Sequence, residues 1–226
     1  MSRRILYHGS ADVLVHPVCG KKGRKHADFG SGFYCTEDLE LAEEWACGDG
    51  ADGCVSRYEI ETDGLRLLNL ASSGCTVLSW LAVVADNRRA RVSCPIEKRG
   101  REYLLQHFLP DCAGCDVIIG CRADDSWLSY ARSFLSNRIS LRQLSYALRL
   151  GNLDGQFVLK SPKAFAAVQY LGSSTADASV CLARRRERDR QMREAFLKEL
   201  ETDDVDGIYM RDVLKEEMKP DDVRLR

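Results

Sequence analysis

The alternation of apolar and polar residues predicts several short strands. Strand patterns occur at Arg4–Tyr7, Val55–Ile60, Leu65–Leu70, Asp116–Gly120 and Gln156–Leu159. These segments are rich in β-branched, aromatic or other apolar residues, and glycine or polar residues bound most of them, as is typical of strands. Because helical patterns lie between them, the chain is predicted to be a mixed domain containing both helices and strands.

Helical spacing of apolar residues occurs at Leu39–Ala46, Leu78–Asn87, Leu128–Leu135 and Leu141–Leu150. Thr36 and Asp38 are both candidate N-caps for the first of these helices, and Ser140 is the candidate N-cap for the last. Residues 163–171 fit a short strand or a short helix equally well, and the pattern does not decide between them.

The composition changes beyond about residue 177, where charges of both signs become frequent. An apolar stripe at Met192, Phe196, Leu197 and Leu200 predicts an amphipathic helix that packs on the body or on a partner. The mixed charge argues against a nucleic-acid-binding arm. We therefore expect a domain at 1–176 and a charged helical extension at 177–226.

The overall composition is that of an ordinary soluble protein, with 226 residues, 30% charged residues and a net charge of -1. This balance gives no electrostatic reason to expect a nucleic-acid or membrane partner. No apolar run approaches the ~18 residues that span a bilayer, and Met1–Arg4 lead into no signal-peptide core. The ten cysteines are scattered, and the single CxxC at Cys112 and Cys115 has no partner motif for zinc. Reduced thiols in a cytoplasmic protein are expected.

The most informative stretch is Phe29–Trp45 (FGSGFYCTEDLELAEEW). Gly30 and Gly32 allow close approach of the backbone to a ligand, and successive side chains of the following strand point to opposite faces. Tyr34 and Trp45 would then flank a cleft suited to a flat ring bearing a carboxamide. A packed turn and strand is the alternative. The cationic loop Lys21–Lys25 is likewise either a solvated turn or a lip over a phosphate-bearing ligand.

Three segments together resemble the ADP-ribosyltransferase fold, in its diphtheria-toxin and poly(ADP-ribose)-polymerase branch, whose motif order is His, Tyr, Glu. They are His8-Gly9-Ser10, Gly30-Ser31-Gly32-Phe33-Tyr34 and the strand that begins at Gln156. The chain looks nearer still to a small, mostly bacterial domain family of unknown function. The shared phrases are LYHGS, DFGxGFYxT, WL…NR and DVIxGxxADD, and the likeness runs from Ile5 to Leu171.

The resemblance implies an α+β fold with a split mixed β-sheet core, helices and the charged C-terminal extension. It implies a transferase of the glycosyltransferase class that uses NAD as a substrate. The expected activity is toxin-like or regulatory mono-ADP-ribosylation of a macromolecule, with a protein acceptor favoured over nucleic acid.

The resemblance also assigns roles to residues. His8, Tyr34 and Gln156 occupy the catalytic positions. In it the Gly9 backbone pairs with the nicotinamide carboxamide, His8 holds the ribose 2′-hydroxyl, and Tyr34 and Trp45 sandwich the nicotinamide ring. The expected NAD-binding set is His8, Gly9, Ser10, Gly32, Tyr34 and Trp45, and no metal is expected, since His16, His26 and His107 lack ligand spacing.

The sequence departs from the wider branch at the catalytic glutamate, because Gln156 stands there. An amide accepts a hydrogen bond but carries no charge and cannot act as a base. Losing one preorganised charged group costs about 2.7–4 kcal/mol, a hundredfold or more in rate. Asp124, Asp125 or Asp154 are candidates to compensate. The alternative function is a catalytically weak NAD- or ADP-ribose-binding module that contacts a protein partner through the Lys21–Lys25 loop and the 181–200 helix.

Overall fold

The computed structural model describes residues 2–19, 27–48, 50–72, 74–88, 94–122, 125–150, 155–202 and 204–225. Its centre is one seven-stranded sheet. The strands are β1 (Arg3–Ser10), β2 (Phe33–Thr36), β3 (Gly53–Glu61), β4 (Leu67–Asn69), β5 (Val117–Gly120), β6 (Gln156–Leu159) and β7 (Val168–Ala176). Their order across the sheet is β4-β5-β6-β2-β1-β3-β7. The β4–β5 pair is parallel and the other neighbouring pairs are antiparallel, so the expected α+β class with a mixed sheet is confirmed.

The helices connect and cover the strands. They are α1 (Leu39–Ala46), α2 (Val77–Asn87), α3 (Pro95–His107), α4 (Asp125–Leu135), α5 (Leu141–Arg149), α6 (Pro162–Ala166), α7 (Ala178–Leu200) and α8 (Met210–Lys215). Asp38 caps α1 by accepting hydrogen bonds from two backbone amides, and Ser140 caps α5 within a capping box. The predictions of Asp38 and Ser140 as caps are confirmed.

The structure also decides or changes several sequence predictions. The first strand continues through His8-Gly9-Ser10, because all eight residues of β1 pair with β3. The undecided segment 163–171 contains both elements, with most of α6 followed by the start of β7. Helices α3 and α8 were not predicted.

The sheet separates two apolar layers. One contains Leu6, Phe33 and Phe157. The larger lies on the other face, under α1 to α5, and includes Phe29 and Val158. Neighbouring residues of a strand point to opposite faces. In β6, for example, Phe157 lies in the first layer and Val158 in the second.

Helix α7 packs on this larger layer through only part of its predicted stripe. Met192 and Phe196 are buried, and the Phe196 ring centroid lies 3.9 Å from that of Tyr130. The other two residues of the stripe, Leu197 and Leu200, are 61% and 40% exposed and do not pack on the body. The body contacts α7 along a narrow line of residues four apart, and Leu197 is rotated away from that line. The domain division at residue 176 stays a prediction.

Some sequence predictions lie outside the described residues, or concern a side chain that is not described. They are those for the loop Lys21–Lys25, His26, Asp124, Asp125 and Asp154.

We predict that Phe196→Ala lowers the free energy of unfolding by about 3–5 kcal/mol, because it removes a buried aromatic ring from the main core. Leu197→Ala is the matched control on the same helix, and its exposed side chain makes the expected change smaller than about 0.5 kcal/mol. Urea unfolding measures both. Equal losses in the two variants would contradict the packing of α7.

Candidate functional site

The sheet places the three expected catalytic positions on neighbouring strands. Thr36 on β2 is in register with Tyr7 on β1 and with Gln156 on β6. His8 follows Tyr7 directly, and Tyr34 lies two residues before Thr36. Segments that are distant in sequence therefore meet around one point of the sheet.

Strands β1 and β2 part at this point. Both are described in full, and Tyr7 with Thr36 is their only register pair, whereas β1 and β3 pair over eight residues. Beyond that pair, the His8 side chain bridges the two strands, with Nδ1 2.7 Å from the carbonyl oxygen of Tyr34. A carbonyl can only accept, so the proton sits on Nδ1 and Nε2 of the neutral ring is an acceptor.

The three side chains do not share one face of the sheet. Tyr34 and Gln156 point to the side of the larger core, since Gln156 is in register with Thr36, two residues from Tyr34. His8 lies on the opposite side, where its ring centroid is 4.4 Å from that of Phe33. His8 thus reaches the gap between β1 and β2 from below, while Tyr34 and Gln156 lie above it.

Gln156 has an unusual environment for an amide. It is only 5% exposed, and its Oε1 has no hydrogen-bond partner among the described residues. Its register neighbours are Thr36 and Gly120. Buried polar atoms without partners are rare and costly, so this oxygen is suited to accept from a donor that enters the site.

Tyr34 uses its hydroxyl to hold the preceding turn. The oxygen accepts from the amide of Phe29 at 3.1 Å and donates to the carbonyl of Gly30 at 2.7 Å. Burial raises the pKa of this phenol far above its ordinary value. The hydroxyl of Tyr34 is therefore committed to structure, which leaves its ring as the part that can contact a ligand.

The same turn is held by residues that the sequence analysis missed. Asp28, buried at the start of the turn, forms an ion pair with Arg88 at 2.5 Å. Lys160 Nζ donates to the carbonyl of Phe29 at 2.9 Å. Gly30 has a φ of +79°, which favours glycine. The sequence did contain a signal for this ion pair. Asp28 belongs to the DFG phrase and Arg88 to the NR phrase.

Other expected NAD contacts serve packing within the protein. A Cβ on Gly9 would lie 1.9 Å from the carbonyl oxygen of Ala42, so glycine lets α1 rest directly on β1. A Cβ on Gly32 would lie 2.5 Å from Val158 Cγ1, so Gly32 permits close packing against β6. Ser10 donates its hydroxyl to the carbonyl of Asp12 at 2.7 Å.

Trp45 lies on the side of the sheet to which Gln156 points. It packs against the main core, and the guanidinium carbon of Arg122 is 6.0 Å from its ring centroid. Arg122 follows Gly120 by two residues, and Gly120 is the register partner of Gln156. The half-buried indole and the Gln156 side chain therefore lie on the same side of the sheet.

Other kinds of site receive no support. In the described part of the chain no cluster of ligating side chains could hold a metal ion, and no helix has the length and apolarity to cross a membrane. The ten cysteines form no disulfide in the structure. Two surface cavities, of about 420 and 550 Å³, are lined by residues other than His8, Tyr34 and Gln156.

We predict that His8 makes stability depend on pH. Burial lowers the pKa of its imidazole below the ordinary 6.5, so the unfolded chain takes up this proton more readily than the folded protein. The contribution is complete above about pH 6.5 and is lost as the pH falls towards the folded pKa. Urea unfolding from about pH 7.5 to about pH 5 should show a steeper loss for the parent than for His8→Asn. Parallel curves would contradict the buried neutral imidazole.

We predict that Tyr34→Phe lowers the free energy of unfolding by about 1–3 kcal/mol, because an amide and a carbonyl lose their partner. Tyr170→Phe is the control, because the ring of Tyr170 contacts Tyr58 and this contact is kept. Its expected change is below about 0.5 kcal/mol. Chemical denaturation distinguishes the two, and an unchanged Tyr34→Phe would remove the structural role of the hydroxyl.

Comparison with known proteins gives a family without an assigned activity. The model of the family described as "Protein of unknown function (DUF3990)" matches residues 4–170, about three quarters of the chain. No curated protein and no solved structure matches significantly. The matched range contains β2, β6, the Asp28–Arg88 pair and all of β1 except Arg3, but not α7 or α8. The chain belongs to this DUF3990 family of unknown function.

Proposed function

We propose that the chain binds NAD where β1 and β2 part, and transfers its ADP-ribose to a macromolecular acceptor. The observation that carries this proposal is the buried, unpartnered Oε1 of Gln156 beside the opening. It stands at the position that the resemblance gives to the catalytic residue. The divergence of β1 from β2 also supports an ADP-ribosyltransferase-like split sheet as the finer description of the fold.

The acceptors on the two sides of the opening suit a ribose that enters the gap between β1 and β2. Gln156 Oε1 and His8 Nε2 are both acceptors, and ribose hydroxyls are donors. The ring faces of Trp45 and Tyr34 suit a nicotinamide ring, and an aromatic stack contributes about 0.5–1.5 kcal/mol beyond the area it buries. When bound, NAD supplies the glycosidic bond that is broken in transfer. The residues of this chain hold and orient it.

The neutral amide of Gln156 sets an expectation for the rate. Without a carboxylate, stabilisation of positive charge on the sugar is weaker by about 2.7–4 kcal/mol, so transfer is slow relative to an enzyme with glutamate at this position. The second candidate function, an NAD- or ADP-ribose-binding module, is favoured by the same observation. Gln156 cannot ionise, and burial keeps His8 neutral at physiological pH. The protein partner of such a module would bind through the Lys21–Lys25 loop and the 181–200 helix.

We predict that calorimetric titration of the parent with NAD gives saturable binding, and that His8→Asn weakens it. Asparagine can still donate to the Tyr34 carbonyl but lacks the acceptor at the Nε2 position. Gln156→Glu should raise nicotinamide release by about a hundredfold or more. Release is measured near pH 8, because burial raises the pKa of an introduced carboxyl.

The matched control is Gln143→Glu. Gln143 is about as buried and lies in the capping box of α5, where glutamate keeps the bond from the Ser140 amide and loses only the long bond to the Thr202 carbonyl. This control should release nicotinamide at the parent's rate. Turnover by the parent with cell lysate as acceptor supports the transferase, and binding without turnover supports the module. A parent and a Gln156→Glu variant that both fail to bind NAD and ADP-ribose would refute both functions.

A further inference from the structure

Helix α7 lies outside the segment shared with the family, yet it is bound tightly to α1 by charge. Arg188 Nη1 lies 2.6 Å from Glu44 Oε1, and Arg184 Nη2 lies 2.9 Å from Glu43 Oε2. The same Nη2 donates to the backbone carbonyl of Glu40 at 2.9 Å. Arg184 and Arg188 lie one turn apart on α7. Together they make these three contacts along one side of α1.

Glu44 makes this contact more than a surface ion pair. Its side chain is 1% exposed, and that of Arg188 is 20% exposed. A carboxylate shielded from water is costly unless a cation faces it, so the position of α1 is tied to Arg188. Exposed pairs on α7, such as Arg190 with Glu194, carry no such requirement.

The other sides of α1 reach the candidate site. Trp45 directly follows Glu44 and packs against the main core with Arg122 over its ring. Ala42 and Ala46 lie on Gly9 so closely that a Cβ there would overlap them. A small rotation of this eight-residue helix therefore moves the indole and the contact with β1 together.

We infer that Arg184 and Arg188 are positioning residues of the candidate site, which act through Glu44 and Glu43 to fix α1 and with it Trp45. The effect of these arginines on ligand binding rests on the proposed function. Their effect on the position of Trp45 depends only on the contacts between α7 and α1. The C-terminal helix is then part of the site's construction, although the family model ends before it.

The test uses the full chain labelled with 5-fluorotryptophan. The protein has three tryptophans, and Trp45→Phe assigns the resonance of Trp45. Arg188→Met and Arg184→Met should shift or broaden that resonance, whereas Arg188→Lys should keep it near its parental position. Arg190→Met is the control on the exposed side of α7 and should leave it unchanged. An unchanged Trp45 signal in folded Arg188→Met overturns the inference.

A Glu44→Met/Arg188→Met double variant keeps the test decisive if single variants fail to fold, because it removes both buried charges at once. If the charges of Arg188 and Glu44 position α1, the fluorine resonance of Trp45 is displaced in the folded double variant. A resonance at the parental position overturns the inference. Nicotinamide affinity in Arg188→Met should fall about two- to tenfold, the equivalent of one lost aromatic stack. If the parent itself binds neither nicotinamide nor NAD, the proposed function fails, while the fluorine signal still decides the role of Arg188.

Discussion

The hydrogen bond from His8 to the carbonyl of Tyr34 is the interaction on which the candidate site depends. Where β1 leaves β2, the carbonyl of Tyr34 finds its donor in the imidazole. A buried carbonyl without a donor would oppose the separation, so His8 makes the opening energetically acceptable. The same bond fixes the tautomer and directs Nε2 away from Tyr34. One side chain thus bridges the two strands where they part, and in the proposed function its Nε2 is an acceptor for the ligand.

The motif residues divide into those used by the fold and those left for a ligand. The hydroxyl of Tyr34 and the Asp28–Arg88 pair hold the turn that precedes β2. Gly32 is required by packing against β6. The groups that remain are Gln156 Oε1, His8 Nε2 and the rings of Tyr34 and Trp45. This smaller set is neutral, which fits recognition of a sugar and its attached ring better than fast chemistry.

Local signals in the sequence predicted local structure well. Asp38 and Ser140 were identifiable as caps because a cap depends on residues within one turn. The face of the sheet occupied by His8 was not predictable, because it follows from the register of β1 with β2 and β3. Leu197 and Phe196 are likewise adjacent apolar residues whose burial is decided by where α7 meets the body. Helix α3 was missed because Glu97 and Gly100 are among its buried positions, which leaves little apolar periodicity to detect.

The most direct test of the site is a long-range ¹H–¹⁵N spectrum of the histidine rings, with and without NAD. It reports which ring nitrogen carries the proton and which one gains a hydrogen bond. We expect that His8 holds its proton on Nδ1, and that NAD shifts the Nε2 resonance while Nδ1 stays bonded to Tyr34. A proton on Nε2 in the free protein, or ring signals that NAD leaves unchanged, would contradict this expectation.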